Sequence, residues 1–79
     1  MDKSITTRAY GELLRLLREA RAEAGLSQSQ LAELLGEPQS FVSKYESGTR
    51  RLDLVELREI TEALGVELSA LIARFEDAL

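Results

Sequence analysis

Apolar residues recur three and four positions apart along almost the whole chain, and no stretch alternates long enough to read as a strand. That spacing predicts five helices. The first runs from about residue 7 to 24, with Tyr10, Leu13, Leu14, Leu17, Ala20 and Ala24 on one stripe and Gly25 as its stop. Gly11 weakens the first turn by about 1 kcal/mol relative to alanine. Leu16 lies roughly a quarter turn off the stripe, which predicts a partly exposed leucine or a partner contact.

The second helix is signed at both ends. Ser27 caps it, Gln30 three residues on completes a capping box, Leu26 and Leu31 form a hydrophobic staple, and Gly36 ends it. Leu31, Leu34 and Leu35 are its expected buried face. The third helix follows a three-residue link, Gly36-Glu37-Pro38, with the proline suited to a first helical turn. Phe41, Val42 and Tyr45 share its inner side. Gln39, Ser40, Ser43 and Ser47 share the other, with Lys44 at the edge and Gly48 as the stop. The fourth helix starts at Asp53, with Glu56 as the box partner and a Leu52/Leu57 staple. It turns Leu57, Ile60, Thr61 and Leu64 inward and ends at Gly65. The fifth, about 68–78, carries Leu68, Leu71, Ile72, Phe75 and Leu79 on one stripe.

A length of 79 residues with 44% apolar and 30% charged residues is the balance of one small globular domain, expected to fill 1–79 with residues 1–6 as a disordered arm. No apolar run approaches the roughly 20 residues of a membrane span, and no secretory pattern opens the chain. With no cysteine and no histidine, there is no thiolate nucleophile or metal ligand and no imidazole for acid/base work at neutral pH. An enzyme therefore has little support, no metal or cofactor is expected, and the missing cysteines fit a reducing cytoplasm.

The net charge of −4 argues against a simple polyanion binder. Its distribution does not. From Leu52 onward seven acids face two bases, whereas residues 39–51 hold Lys44, Arg50 and Arg51 against Glu46 alone. The acidic half reads as a solvated far face, and the middle stays locally positive.

Two short helices on so short a link must cross steeply, and a small residue must allow the approach. Ala32 and Gly36 on one face of helix 2, then Val42 in helix 3, describe a helix-turn-helix, with Leu31, Leu35 and Tyr45 filling the pattern. A plain helical hairpin in a bundle is the alternative. The run Gly25-Leu26-Ser27-Gln28-Ser29-Gln30-Leu31-Ala32-Glu33-Leu34-Leu35-Gly36, followed by Gln39-Ser40-Phe41-Val42-Ser43-Lys44-Tyr45-Glu46-Ser47-Gly48, resembles the phage-repressor (Cro/repressor-like, xenobiotic-response-element-type) helix-turn-helix family. Leu64-Gly65-Val66 matches that family's fourth-helix ending. The resemblance spans roughly residues 13–73. It implies an all-α, five-helix, lambda-repressor-like domain of a transcriptional regulator that binds operator DNA as a dimer.

Carried over by position, the resemblance implies that Gln28 and Ser27 meet a DNA phosphate at the start of helix 2. It implies that Gln39 and Ser40, with Ser43 and Lys44 one turn on, meet base edges. The chemistry agrees: glutamine pairs bidentately with adenine, lysine donates to guanine, and serine serves either. Arg50 and Arg51 fall where the family often places backbone contacts, although bonding to nearby acids such as Asp53 is open to them. Arg21 and Glu46 match a family ion pair. Glu46 near a helix C-terminus needs such a cation, and the pair would hold the recognition helix in place. Two departures stand out. Pro38 occupies a region where a capping serine or threonine is common, and Glu33 and Glu37 would sit near phosphate.

One half-site with few cations holds DNA weakly at physiological salt, so two copies reading a palindrome are expected, with Phe75 and Leu79 contributing to the two-fold interface. These residues could instead only close the core. The leading expectation is a cytoplasmic, nucleoid-associated prokaryotic or phage regulator, most simply a repressor, with double-stranded DNA as its partner. An antitoxin that also binds a toxin protein, and a protein-interaction module without DNA binding, are the rivals.

Overall fold

Local side-chain capping sets three of the five helix starts. The structure, a computed structural model, describes residues 7–79; the expected arm at 1–6 lies outside the described residues. Thr7 caps α1 (Arg8–Glu23), its hydroxyl accepting from the Tyr10 N–H, and Ala24 closes the helix as an exposed C-cap. Ser27 and Gln30 form a complete capping box on α2 (Gln28–Leu35), and Asp53 and Glu56 form another on α4 (Leu54–Leu64). Asp53 is thus the cap of its helix and lies outside the first turn. α3 (Gln39–Glu46) begins without a side-chain cap: Pro38, expected within the first turn, is instead the N-cap, with extended backbone at φ −70° and ψ 156°. α5 (Leu68–Ala78) follows the short Gly65–Glu67 link. The described residues contain no strand.

α1 packs against α3 and α5, α2 against α3 and α4, and α4 against α5. Leu17, Leu31, Val42, Tyr45, Ile60 and Leu71 form the centre of the core, each at most 1% exposed. Thr61 joins them with its hydroxyl donated to the Arg58 carbonyl at 2.9 Å. The family-type link between α2 and α3 rests on two different features. Gly36 takes φ +70°, which a side chain rarely adopts, yet nothing stands within 4 Å of where its Cβ would lie. The close approach falls to Ala32 alone, 2% exposed in the core.

Two leucines are not where the helical stripe puts them. Leu16 is 3% exposed and lies in the core, because α1 is covered on two sides, by α3 and by α5. Leu34 is 61% exposed. Once Ala32 enters the core at the α2–α3 contact, the inward direction of α2 runs through Leu31, Ala32 and Leu35, and Leu34 rotates about 110° away from its centre.

Candidate nucleic-acid interface

With Val42 and Tyr45 anchored inside and Phe41 set edge-on to Tyr45 at 5.6 Å, α3 has only one way to face. Gln39, Ser40 and Lys44 are exposed along its outer edge, and Ser43 is half-buried between them. The four residues that the family resemblance assigns to base edges therefore lie on one accessible strip. The acid on the helix itself, Glu46, is turned away from that strip and buried.

Glu46 is held from three sides. The Arg21 guanidinium forks onto its carboxylate, Nε to Oε2 at 2.7 Å and Nη2 to Oε1 at 3.1 Å, while Nη1 donates to the Leu26 carbonyl at 3.0 Å. Bidentate pairing of this kind is the strongest geometry open to arginine and a carboxylate, and it pushes Arg21 above its usual basicity. Arg18 donates to the Glu46 main-chain carbonyl at 3.0 Å, so a second cation meets the negative end of the α3 dipole. Gln28 completes the set, its Nε2 donating to Glu46 Oε1 at 2.9 Å.

Gln28 also reaches forward. Its Oε1 accepts from Gln39 Nε2 at 2.7 Å, so an unbroken side-chain line runs Arg21–Glu46–Gln28–Gln39 from α1 to the first residue of α3. Ser27 is engaged at the start of α2: its hydroxyl accepts from the Gln30 N–H at 3.0 Å, and its own N–H donates to Gln30 Oε1 at 2.8 Å.

The loop arginines are both held in place. Arg50 pairs with Glu56 at 2.6 and 3.1 Å and lies 4.8 Å from the Phe41 ring centroid. The acid that takes it is Glu56, while Asp53 spends its carboxylate on the cap of α4. The hydrogen bonds from Arg50 hold the Glu56 carboxyl below its ordinary range. Arg51 lies over the Tyr10 ring at 4.5 Å, an apolar seat that leaves the residue exposed.

Tyr45 adds a titrating group to this shell. It is fully buried, and its hydroxyl has no hydrogen-bond partner among the described residues. Burial first, and the Glu46 carboxylate second, push its ionisation well above the ordinary tyrosine range. The fold thus favours the neutral phenol, and its contribution is intact below about pH 10 and falls as pH rises beyond that. Tyr45→Phe is expected to match or exceed the wild type in stability, by up to about 1–2 kcal/mol, since it removes an unsatisfied buried hydroxyl. Denaturation midpoints at pH 9 and 11 check both points. An equal alkaline loss in the two proteins would remove Tyr45 as its source.

α4 and α5 leave apolar surface uncovered. Phe75 is half-buried and lines a groove of about 230 Å³ with Leu13, Leu54, Leu57, Leu71 and Ile72. Of its lining, Leu54 is about two-thirds exposed and Ile72 is 42% exposed, and Val55, next to Leu54 in the chain, is as exposed as Leu54. Leu79 is 51% exposed at the end of the chain. Of the α5 stripe only Leu71 is fully in the core. The Leu54/Val55 patch was readable in the unbroken apolar pair that follows Asp53; the bridging position of Gln28 had no such signal.

No helix among the described residues is long and apolar enough to cross a membrane. The described residues hold no cluster of three or more histidine, cysteine or acidic side chains suited to a metal ion.

The helix-turn-helix family profile matches residues 17–71. A solved structure, an XRE-family like protein from Pseudomonas syringae pv. tomato, superposes with a TM-score of 0.88 at 45% identity, covering 96% of this chain and 93% of that one. Control protein C.MunI from a Mycoplasma species is 33% identical over 67 residues, 85% of this chain and 88% of its own. Multiprotein-bridging factor 1b of Arabidopsis thaliana is 39% identical over 57 residues, 72% of this chain; the matched region is 40% of that protein's length. With the family profile covering most of the chain and the five-helix fold shared at a TM-score of 0.88, the chain belongs to the Cro/repressor-like, xenobiotic-response-element-type helix-turn-helix family of DNA-binding transcriptional regulators.

Proposed function

We propose that the domain regulates transcription by laying α3 in the major groove of a palindromic operator, as a homodimer, and that it acts as a repressor in a prokaryotic or phage setting. The observation that carries this reading is the exposed strip of Gln39, Ser40, Ser43 and Lys44 on a helix whose opposite side is locked into the core. Gln39 and Lys44 supply the donor and acceptor atoms that base edges require. Ser27, Gln28, Arg50 and Arg51 flank the strip and serve as phosphate contacts, Arg51 from its seat on Tyr10 and Arg50 from its seat on Phe41. For Gln28 this role is added to its bridge between Glu46 and Gln39. Selecting bound duplexes from a random pool tests the reading. A palindrome is expected, and Gln39→Ala should relax one position per half-site at a cost of about 1–3 kcal/mol. Recovery of no preferred sequence would defeat it.

The second copy is expected to cover Phe75, with Leu54, Val55 and Ile72 continuing the contact around the groove and Leu79 at its edge. Uncovered apolar surface of this extent marks an interaction site on a soluble domain. Phe75→Asp should convert a dimer to a monomer in sedimentation equilibrium, and a wild type that stays monomeric at high micromolar concentration would rule this interface out.

A further inference from the structure

Among the large apolar side chains that stand exposed in the described residues, Leu34 is the one away from both the Phe75 groove and the chain end. With Leu35, Ala63, Glu59 and Glu62 it lines a groove of about 540 Å³ between α2 and α4, more than twice the volume of the one around Phe75. The two carboxylates on its wall are unspent. Glu12, Glu19, Glu46 and Glu56 are all ion-paired. Glu59 and Glu62 make no ion pair and no side-chain hydrogen bond among the described residues, and Arg58, one turn before Glu62, does not pair with it. An apolar floor is thus edged by negative charge that nothing neutralises.

That edge repels duplex phosphate. A second copy does not complement it either, because no exposed large apolar side chain among the described residues stands among cations. Leu54 follows Asp53, Ile72 shares a helix face with Glu76, and Leu79 follows Glu76 and Asp77. Around Val55, Glu56 and Glu59 outnumber Arg58. The complement must come from another protein. We propose that the α2–α4 groove is a docking site for a basic amphipathic helix of a partner protein, whose large apolar side chain enters beside Leu34 while lysines or arginines meet Glu59 and Glu62. These glutamates lie one turn apart on α4, the spacing at which a facing helix presents two cations. An apolar anchor and flanking charge of the right sign are the two parts that helix-in-groove recognition needs. The groove shares no residue with the reading edge or with the Phe75 groove, and helical spacing puts Glu59, Glu62 and Ala63 on the opposite side of α4 from Leu54 and Leu57. Operator, second copy and partner therefore have separate surfaces, and the docking site does not depend on how α3 reads DNA.

The test uses the full chain, isotope-labelled for NMR, and a synthetic probe: an alanine-rich helical peptide with one leucine and a lysine one turn to either side. At up to about 1 mM peptide, a range suited to one apolar anchor and two surface ion pairs, amide shifts are expected at Leu34, Leu35, Glu59, Glu62 and Ala63. Leu34→Gln is expected to weaken binding by about tenfold or more, the effect of one large apolar side chain losing its cover. Should that variant melt low, the peptide with alanine in place of leucine asks the same of the intact chain and is expected to bind as weakly. Glu59→Gln with Glu62→Gln should cost about two- to thirtyfold and flatten the salt dependence. Equal binding by the leucine-free peptide, by a peptide with glutamates for lysines, or with shifts spread over other acids would overturn the site. Groove shifts on concentrating the chain alone would seat a second copy there, and displacement of the peptide by operator duplex would seat DNA there; either result would also overturn it.

Discussion

Arg21→Ala lowers the stability of the domain by roughly 3–5 kcal/mol, because it leaves a carboxylate buried without its guanidinium. A chain of this length has only about 4–12 kcal/mol to lose, so the variant should melt roughly 15–30 °C below the wild type. Glu46→Ala should be milder. The side chain of Arg21 is 20% exposed against 4% for Glu46, and an orphaned guanidinium at the surface can find water where an orphaned carboxylate in the core cannot. The double variant Arg21→Met, Glu46→Leu should regain much of the loss, since neither charge is then stranded. Circular dichroism melts of the four proteins decide the matter. Melting temperatures within a few degrees of one another would reduce the pair to a surface contact of under about 1 kcal/mol.

The same pair links stability to the binding face. Glu46 sits at the C-terminal turn of α3, Gln39 at its first residue, and both ends are tied to elements outside the helix: Arg21 and Arg18 on α1, Gln28 on α2. An eight-residue helix is too short to hold itself in water. The orientation of the reading edge is therefore set by the core residues Val42 and Tyr45 and by this polar line, and the helix's own hydrogen bonds contribute little to it.

The elements were legible because their signals are local. Capping boxes at Ser27 and Asp53 and glycines at 25, 36, 48 and 65 lie within one turn of what they control, and all four glycines take positive φ. Burial was legible only where a helix has one covered side. α1 is packed by two neighbours, so Leu16 is buried beside the stripe, and the small Ala32 shifts the inward direction of α2 enough to expel Leu34. At the candidate interface, the family resemblance pointed to Gln28 as a phosphate contact but could not show that its two ends meet Glu46 and Gln39, 18 and 11 residues away. Arg50 likewise reads as a loop cation in sequence; its partner Glu56 is already marked as a cap residue, and nothing local shows that one carboxylate does both.

That double use of Glu56 sets the expected salt response of DNA binding. Arg50 and Arg51 are the cations proposed as phosphate contacts beside each reading edge, giving four in the proposed dimer. If all four neutralise phosphates, log affinity falls with log salt at a slope of about −4, or about 10²-fold between 50 and 200 mM. Arg50, however, is already paired with Glu56 at 2.6 Å, and that carboxylate is held below its usual range and so stays charged at neutral pH. With Arg50 retained by Glu56 the count is two, the slope is about −2, and the fall is about 10-fold. Fluorescence anisotropy on the selected operator separates the two, and Glu56→Gln should steepen the slope toward −4 by releasing Arg50 to the duplex. An affinity that does not change across this range would mean that the domain makes no phosphate contacts, and a net charge of −4 would then be that of a protein-binding module.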